Sequence, residues 1–261
     1  MNVLNLKWKY HEHKQLIRYG IRHNILRDLI SKNYRRLSFE LWDEFPRNFA
    51  KTMGCEFTND TPSRALQEIF VDKIYDINGF VPKVGDVVID VGASYGDSAI
   101  WWSKVKGASV FAFEPLKDVF RILEANVALN KADVKTFNIA IGNGEPVNSN
   151  RVGSMLIRSN CANGNILETA KLDDLGIQKM EILKIDVEGF ELDVLKGAKN
   201  CIERFRPRII IETHSTELRN NCDQFLKNMG YTLRVEGRKV KPKNSWMDSI
   251  QNLFYSSFKT K

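Results

Sequence analysis

The sequence has few cysteines and no long apolar run, and each shortage excludes a class of protein. Its four cysteines are far apart, and they form neither a Cys-x-x-Cys pair nor a Cys/His ligand pattern: Cys55, Cys161, Cys201 and Cys222. We therefore expect reduced, structural thiols. No window approaches the roughly 18 uninterrupted apolar residues of a membrane-spanning helix. The first residues also lack the apolar core of a signal peptide, so the sequence predicts a cytoplasmic protein.

Charge of one sign is in only modest excess. Lysine and arginine number 39 against 32 aspartates and glutamates, which leaves a net charge of +7. This excess permits an anionic substrate, a nucleic acid or an acidic membrane surface, but it selects none of them. Repeats and low-complexity segments are absent, and hydrophobic residues make up 43% of the 261 residues. One catalytic-size domain with extensions is therefore expected.

The hydrophobic pattern divides the chain into three regions. Residues 1–79 are predicted to be a helical N-terminal extension, since basic and apolar residues recur at helical intervals up to about residue 50. Residues 80–243 alternate strand-length apolar runs with helix-length amphipathic runs, which is typical of a parallel α/β sheet. Residues 244–261 are predicted to be an amphipathic tail that docks on the core or contacts a membrane or partner. Its apolar residues share one helical stripe: Trp246, Met247, Ile250, Leu253, Phe254 and Phe258.

Five strands are predicted in the central region: Asp86 to Val91, Ser109 to Phe113, Val134 to Ile141, Glu181 to Val187 and Pro207 to Thr213. Further elements are a long helix over Phe190 to Arg204, another over Glu217 to Met229, and a strand or hairpin at Tyr231 to Val240. Residues 145–169 interrupt this alternation and are rich in Asn, Gly and Ser. We expect an inserted hairpin or lid there.

The first strand runs into a glycine-spaced turn over Asp90 to Gly96. Ligands of open α/β sheets bind beyond the carboxyl ends of the strands. Gly92 lets the backbone approach a ligand, and Gly96 opens a helix whose amide-rich N-terminus attracts electron-rich groups. Glu114 ends the neighbouring strand, where a carboxylate can accept hydrogen bonds from a ribose diol. Asp90 is expected to orient the turn and the positively charged amino-acid end of the ligand.

The turn lacks the Gly-x-Gly-x-x-Gly triplet that binds a pyrophosphate, because Ser94 occupies a position that would need glycine. A ligand with a ribose but no phosphates fits better, and S-adenosylmethionine is one. The missing glycine argues against a nicotinamide-dependent oxidoreductase, which remains an alternative. The expected cofactor-binding residues are Asp90, Gly92, Ala93, Ser94, Tyr95, Gly96, Glu114, Pro115, Ile139, Ala140 and Asp186.

Polar side chains also end the fourth and fifth predicted strands. Asp186 and Glu188 stand two positions apart, as do Glu212 and His214, so each pair points to one face if its strand continues. These four are the candidate catalytic residues. A hydroxyl acceptor needs its proton removed by a base such as His214 or Asp186, or needs to be acidified by a cation. Mg²⁺ or Ca²⁺ would suit this oxygen-rich set better than zinc, and a structural network is the third alternative; no residue is assigned as a metal ligand.

Taken together, several blocks resemble the FkbM family of S-adenosylmethionine-dependent methyltransferases over roughly residues 80–235. The blocks are Ile89 to Gly96, Phe111 to Pro115 with Asn126 and Asn130, Ala140 to Gly142, Leu183 to Glu191 with Leu195 to Ala198, and Arg206 to His214. The resemblance implies a class I methyltransferase fold, Rossmann-like, with a seven-stranded, mostly parallel sheet ordered 3-2-1-4-5-7-6 and flanked by helices. It also implies O-methylation of a sugar or other small-molecule hydroxyl. Position 94 is commonly Asn in the family, so Ser94 departs from the pattern.

Other functions stay open beside a small-molecule or glycan acceptor. The basic N-terminal region would suit an RNA or DNA methyltransferase. However, the end of strand 4 lacks the Asn/Asp-Pro-Pro-Tyr/Phe sequence of enzymes that methylate base amines. A non-enzymatic protein with peripheral membrane contact through the tail is a further alternative.

Overall fold

The computed structural model describes residues 44–153, 155–158, 165–237 and 250–257. Most of the predicted basic helix in the first 50 residues, Cys161, and the tail residues Trp246, Met247 and Phe258 lie outside the described residues. Cys55, Cys201 and Cys222 are free and buried, as expected for structural thiols. Within the described ranges, every helix is too short or too polar to cross a membrane.

The first half of the fold alternates helices and parallel strands. Residues 44–52 form helix α1, and α2 spans Ser63–Leu66 and continues as a π-helical turn at Gln67–Val71. Strand β1 is Val87–Val91, and α3 spans Asp97–Ile100 with a π-helical continuation at Trp101–Val105. Strand β2 is Ser109–Phe113, α4 is Lys117–Asn130 and β3 is Val134–Phe137.

The second half contains the inserted segment and the remaining strands of the main sheet. Short strands follow at Ala140–Ile141 (β4), Val147–Val152 (β5), Met155–Arg158 (β6), Asn165–Leu167 (β7) and Thr169–Ala170 (β8). A 3₁₀ turn at Leu172–Asp174 leads to β9 (Ile182–Ile185), α5 (Glu191–Gly197), α6 (Lys199–Phe205) and β10 (Arg208–Thr213). The chain closes with α7 (Thr216–Asn228), β11 (Thr232–Glu236) and β12 (Gln251–Ser256).

One seven-stranded sheet organises the molecule, in the order β11-β12-β10-β9-β1-β2-β3. Strand β12 runs antiparallel to both of its neighbours, β10 and β11, and the other adjacent strands of this sheet pair in parallel. Counted along the chain within this sheet alone, the order is 3-2-1-4-5-7-6, which confirms the predicted fold. The central strand β9 is buried at every position, as expected for a parallel sheet covered on both faces.

Two apolar cores cover the two faces of this sheet. Successive strand residues alternate between them: Val88 packs in one core and Ile89 in the other, and Ile210 and Ile211 divide in the same way. The N-terminal segment contributes Phe70, fully buried, to the first core. The described part of the predicted extension is therefore built into the sheet's covering layer.

Two predicted elements are divided in the structure. The third strand ends at Phe137 in the main sheet, and Ala140–Ile141 pairs with β8 in a separate small sheet. The single helix predicted over Phe190 to Arg204 is two helices that meet at Ala198. A Cβ on Gly197 would lie 1.8 Å from the Gly142 carbonyl oxygen, so the chain there packs backbone against backbone. The inserted hairpin is confirmed by β5 and β6, which pair antiparallel.

The predicted helical stripe in the tail is wrong for Gln251–Ser256, which forms strand β12 between β10 and β11. Leu253 packs in one core and Phe254 in the other. Because both faces of this strand are buried, its apolar residues do not alternate with polar ones, and the period of two is hidden. The predicted domain boundary at residue 243 therefore separates two paired strands of the same sheet, β11 and β12.

Candidate functional site

A cavity of about 550 Å³ lies at the carboxyl ends of the central strands and joins the two groups of predicted site residues. Its lining includes Gly92 to Tyr95, Glu114 and Pro115, Ile139 and Ala140, and Asp186, Glu188, Glu212 and His214. Two predicted cofactor residues, Asp90 and Gly96, do not line it. The candidate donor and acceptor residues therefore face one shared space.

The glycine turn is shaped by close packing as well as by ligand access. Gly92 has φ +78°, and a Cβ there would lie 1.8 Å from the backbone oxygen of Asp186. Only glycine allows the end of β1 to lie so close to the end of β9. Gly96 has φ +81°, and its Cβ would lie 2.5 Å from Leu123 Cδ1. Gly96 thus serves the packing of α3 on α4, and its predicted place in the ligand-binding surface stays a prediction.

Asp90 lies behind the turn and is fully buried. Ser98 Oγ donates a hydrogen bond of 2.6 Å to Asp90 Oδ2, and Lys184 Nζ lies 3.0 Å from Asp90 Oδ1. The expected role in orienting the turn fits these contacts. Its carboxylate does not line the cavity, and its predicted contact with the ligand stays a prediction.

Glu114 ends β2 in the cavity wall and is 7% exposed. Its Oε2 accepts a hydrogen bond from the Ser94 backbone N–H at 3.1 Å, and its Oε1 accepts one from Leu116 N–H at 2.9 Å. Burial outweighs both hydrogen bonds and raises the pKa of Glu114 to about 7. A carboxylate placed here is suited to accept further hydrogen bonds from a polar ligand.

Three asparagines support this wall, and their contacts explain why amides are needed. Asn138 Nδ2 donates to the carbonyl oxygens of Glu114 (2.8 Å) and Pro115 (3.0 Å). Asn126 Nδ2 donates to the Tyr95 carbonyl oxygen at 2.9 Å. Asn130 Nδ2 donates a hydrogen bond of 2.6 Å to the backbone carbonyl oxygen of Glu56, in the N-terminal segment. These amides fix the turn, the end of β2 and the N-terminal segment together, and Asn138 was not identified from the sequence.

The predicted acceptor residues converge because β9 and β10 are neighbours. His214 is 1% exposed, and its Nδ1 lies 2.7 Å from Oε1 of the fully buried Glu191. His214 Nε2 lies 3.3 Å from Glu188 Oε2 and 3.6 Å from Glu212 Oε1. It also lies 3.8 Å from Asp186 Oδ1. One imidazole is therefore surrounded by four carboxyl groups.

This arrangement sets the protonation state of the cluster. Burial alone would lower the pKa of His214, but Glu191 and then Glu188 outweigh it and raise the pKa to about 10. The ring is therefore an imidazolium at neutral pH. Burial also raises the pKa of Glu188 to about 7 and that of Glu212 to about 8. An imidazolium cannot accept a proton, so Asp186 is the better placed of the two predicted bases.

The same cluster could hold a divalent cation. Asp186, Glu212 and His214 offer ligand atoms that all lie within 4.8 Å of one another. Two carboxylates and one imidazole suit a hard or borderline cation, which would have to displace the proton on His214 Nε2, and Glu191 behind the imidazole would fix its orientation.

Two further contacts were not identified from the sequence. Tyr75, in the predicted N-terminal extension, donates a hydrogen bond from its hydroxyl to Asp186 Oδ2 at 3.3 Å. Arg158, in the inserted sheet, forms an ion pair with Asp193, and its Nε donates to the Gly189 carbonyl oxygen at 3.0 Å. Both contacts join distant parts of the chain, and no local sequence signal points to them.

The strand order, the glycine turn and the carboxylate at the end of β2 define a Rossmann-like methyltransferase fold of class I. The profile of the methyltransferase FkbM domain matches residues 90–233, more than half of the chain. The protein belongs to the FkbM methyltransferase family.

Three relatives illustrate the range of proteins in which similar sequences occur. The chain is 28% identical to the AMB antimetabolite synthetase AmbE of Pseudomonas aeruginosa over 57% of its own length, but it spans only 9% of that protein. It is 25% identical to the methyltransferase sdnD of Sordaria araneosa, covering 64% of this chain and 81% of the relative. It is 31% identical to the hexuronic acid methyltransferase AglP of Haloferax volcanii, covering 50% of this chain and 56% of the relative.

Among solved structures, the fold is similar to that of a methyltransferase FkbM from Methylobacillus flagellatus. The two chains are 18% identical with a TM-score of 0.49, and the match covers 80% of this chain and 58% of the other.

Proposed function

We propose that this protein transfers a methyl group from S-adenosylmethionine to a hydroxyl oxygen of a sugar or another small molecule. The observation that carries the proposal is the single cavity in which Glu114 and the glycine turn face Asp186 and His214. Family membership supports methyl transfer. The name of one relative, a hexuronic acid methyltransferase, supports a sugar acceptor.

The donor side of the cavity suits a nucleoside. Glu114 would accept hydrogen bonds from the ribose hydroxyls, and the backbone of Gly92 to Tyr95 would contact the amino-acid end. Ile139 and Ala140 supply an apolar surface beside them. S-adenosylmethionine supplies a methyl group already activated on a sulfonium, so the residues of this chain contribute mainly by alignment.

The acceptor side supplies a site for the proton. In the proposed reaction S-adenosylmethionine would supply the methyl group and leave as S-adenosylhomocysteine, and the Asp186 carboxylate would accept the proton that the acceptor hydroxyl loses. The His214 imidazolium, held by Glu191 at 2.7 Å, stabilises negative charge on the acceptor oxygen. Tyr75 orients the Asp186 carboxylate through its hydroxyl.

The test combines calorimetry with S-adenosylhomocysteine and transfer of labelled methyl groups to a panel of glycosides, including hexuronic acids. We expect the wild type to bind the product cofactor and label a hydroxyl. Asp186→Asn should keep cofactor binding and lose about 10²- to 10⁴-fold in turnover, the usual contribution of a general base. Asp118→Asn, at an exposed aspartate paired with Arg151, is the matched control and should stay active. Absent binding by the wild type, or full activity in Asp186→Asn, would contradict the proposal.

A metal-assisted form of the same reaction is favoured by the close approach of Asp186, Glu212 and His214. If a cation acidifies the acceptor, turnover should be lost with a chelator and restored by Mg²⁺ or Ca²⁺. If Asp186 acts as the base without a metal, chelation should leave turnover unchanged. The predicted nucleic-acid and membrane contacts depend mainly on residues 1–43 and 244–249, outside the described ranges, and they stay predictions.

A further inference from the structure

Lys184 is a buried cation between the two halves of the cavity, and the proposed reaction gives it no role. It lies in β9, two positions before Asp186, and is 3% exposed. Its Nζ donates a hydrogen bond to the Gly92 carbonyl oxygen at 2.6 Å. The same nitrogen lies 3.0 Å from Asp90 Oδ1 and 3.7 Å from Asp186 Oδ2. The ammonium group therefore makes one hydrogen bond, to the Gly92 carbonyl, and two ion pairs, with Asp90 and Asp186.

These oxygens belong to different functional parts of the site. Asp90 lies in β1 and the Gly92 carbonyl lies in the glycine turn that follows it, whereas Asp186 belongs to the acceptor side at the end of β9. The Tyr75 ring lies 5.8 Å from Lys184 Nζ, and the Tyr75 hydroxyl reaches Asp186. Lys184 and Tyr75 thus both lie against the same oxygen of Asp186, Oδ2.

Packing alone does not account for a lysine at this position. Burying an ammonium is costly unless it is paired, and an apolar side chain of similar length would fill the same space without that cost. Burial would lower the pKa of Lys184, but Asp90 and then Asp186 outweigh it and raise the pKa above its usual range. The side chain therefore stays charged.

We propose that Lys184 is a positioning residue that holds the glycine turn and the Asp186 carboxylate in one fixed arrangement. Donor binding and acceptor activation then depend on the same ammonium group. This inference rests on the proposed function, because it assumes that the turn binds S-adenosylmethionine. Its consequence is that loss of a side chain on the acceptor strand weakens binding on the donor side.

The test measures S-adenosylhomocysteine binding by calorimetry in Lys184→Met, which keeps the length of the side chain and removes its charge. Affinity should fall about 10- to 100-fold, the range expected when hydrogen bonds from a charged donor are lost. Lys179→Met is the matched control. Lys179 Nζ also donates to a glycine carbonyl, that of Gly85 at 2.7 Å, and pairs with Glu181, but it lies outside the cavity lining. Its replacement should leave affinity unchanged.

A double variant separates positioning from charge balance. If Lys184 only neutralises Asp90, then Asp90→Asn combined with Lys184→Met should restore both thermal stability and cofactor affinity. If Lys184 positions the turn, the double variant should regain stability but still bind weakly, because the Gly92 carbonyl still lacks its donor. Restored affinity would overturn the inference.

A measurement on the wild type covers the case in which both variants fail to fold. The ¹⁵Nζ resonance of Lys184 should shift when S-adenosylhomocysteine is added, while that of Lys179 should not. An unmoved Lys184 resonance with bound ligand would overturn the positioning role alone. Failure of the wild type to bind the ligand would instead overturn the proposed function.

Discussion

At the scale of single residues, burial sets the pKa of Glu114 in the ligand-free protein. The carboxyl accepts two backbone hydrogen bonds, yet its pKa is raised to about 7 because desolvation disfavours the charged form. Ribose hydroxyls donate to the ionised carboxylate more strongly than to the neutral acid. Ligand binding and loss of the Glu114 proton are therefore coupled.

We predict that the affinity for S-adenosylhomocysteine rises with pH and then levels off. Below pH 7 the proton must be lost on binding, so affinity should increase up to about tenfold per pH unit and reach a plateau above pH 7. Glu114→Gln should bind more weakly and lose this pH dependence in calorimetric titrations. Glu124→Gln, at an exposed position of α4, is the control. A pH dependence that persists in Glu114→Gln would contradict this assignment and point to the other cavity carboxyls whose pKa burial raises, Asp97 and Glu188 to about 7 and Glu212 to about 8.

At the scale of elements, the small sheet β5–β7 covers the cavity as part of the inserted segment. Met155, Leu156 and Leu167 from this sheet line the cavity. Arg158 joins the sheet to the start of α5: its guanidinium pairs with Asp193, and it lies 4.6 Å from the Phe190 ring centroid. One side chain therefore holds the cover against the acceptor side.

We predict that Arg158→Ala loosens the inserted sheet without unfolding the molecule. Limited proteolysis of the native protein should cut within residues 145–169 several-fold faster than in the wild type, because opening of a local unit sets the rate. Arg151→Ala is the comparison, since Arg151 tethers the same sheet through an exposed pair with Asp118. Exposed pairs contribute little stability. Equal cleavage rates in the two variants would show that Arg158 does not hold the cover.

At the scale of the whole molecule, the last described residues complete the main sheet. Strand β12 pairs with β10 on one side and β11 on the other. Leu253, Phe254 and Tyr255 are each 0% exposed and together reach both cores. Removing one buried side chain of this size costs about 2–5 kcal/mol, so losing three approaches the whole stability of a typical domain, about 5–15 kcal/mol.

A chain ended at residue 243 should therefore fail to fold, whereas one ended at residue 257 should fold like the full chain. Circular dichroism and gel filtration would show the loss of cooperative unfolding and compact size in the shorter chain. Cooperative unfolding and S-adenosylhomocysteine binding by the variant truncated after residue 243 would show that β12 is dispensable. The predicted boundary would then be a true domain boundary.

Local sequence patterns predicted much of the fold and part of the site. Short, largely apolar runs predicted β1, β9 and β10 to within one or two residues of their observed ends. Polar residues that follow these strands meet in space, because the carboxyl ends of parallel neighbours share one edge. The tail was mispredicted because a strand buried on both faces lacks the period of two that identifies strands.

What the sequence determined by itself is the position of the central strands along the chain, the glycine turn and the presence of carboxylates at the strand ends, since each depends on residues adjacent in the chain, whereas the order of the strands in the sheet was implied by the family resemblance. Only the tertiary structure decided what those residues touch. Tyr75 reaches Asp186 across 111 positions, and Lys184 reaches Gly92 across 92. The raised pKa of His214 follows mainly from Glu191, 23 positions away in the chain, and then from Glu188 and Asp186. Such contacts and fields depend on distance in space, which local patterns do not encode.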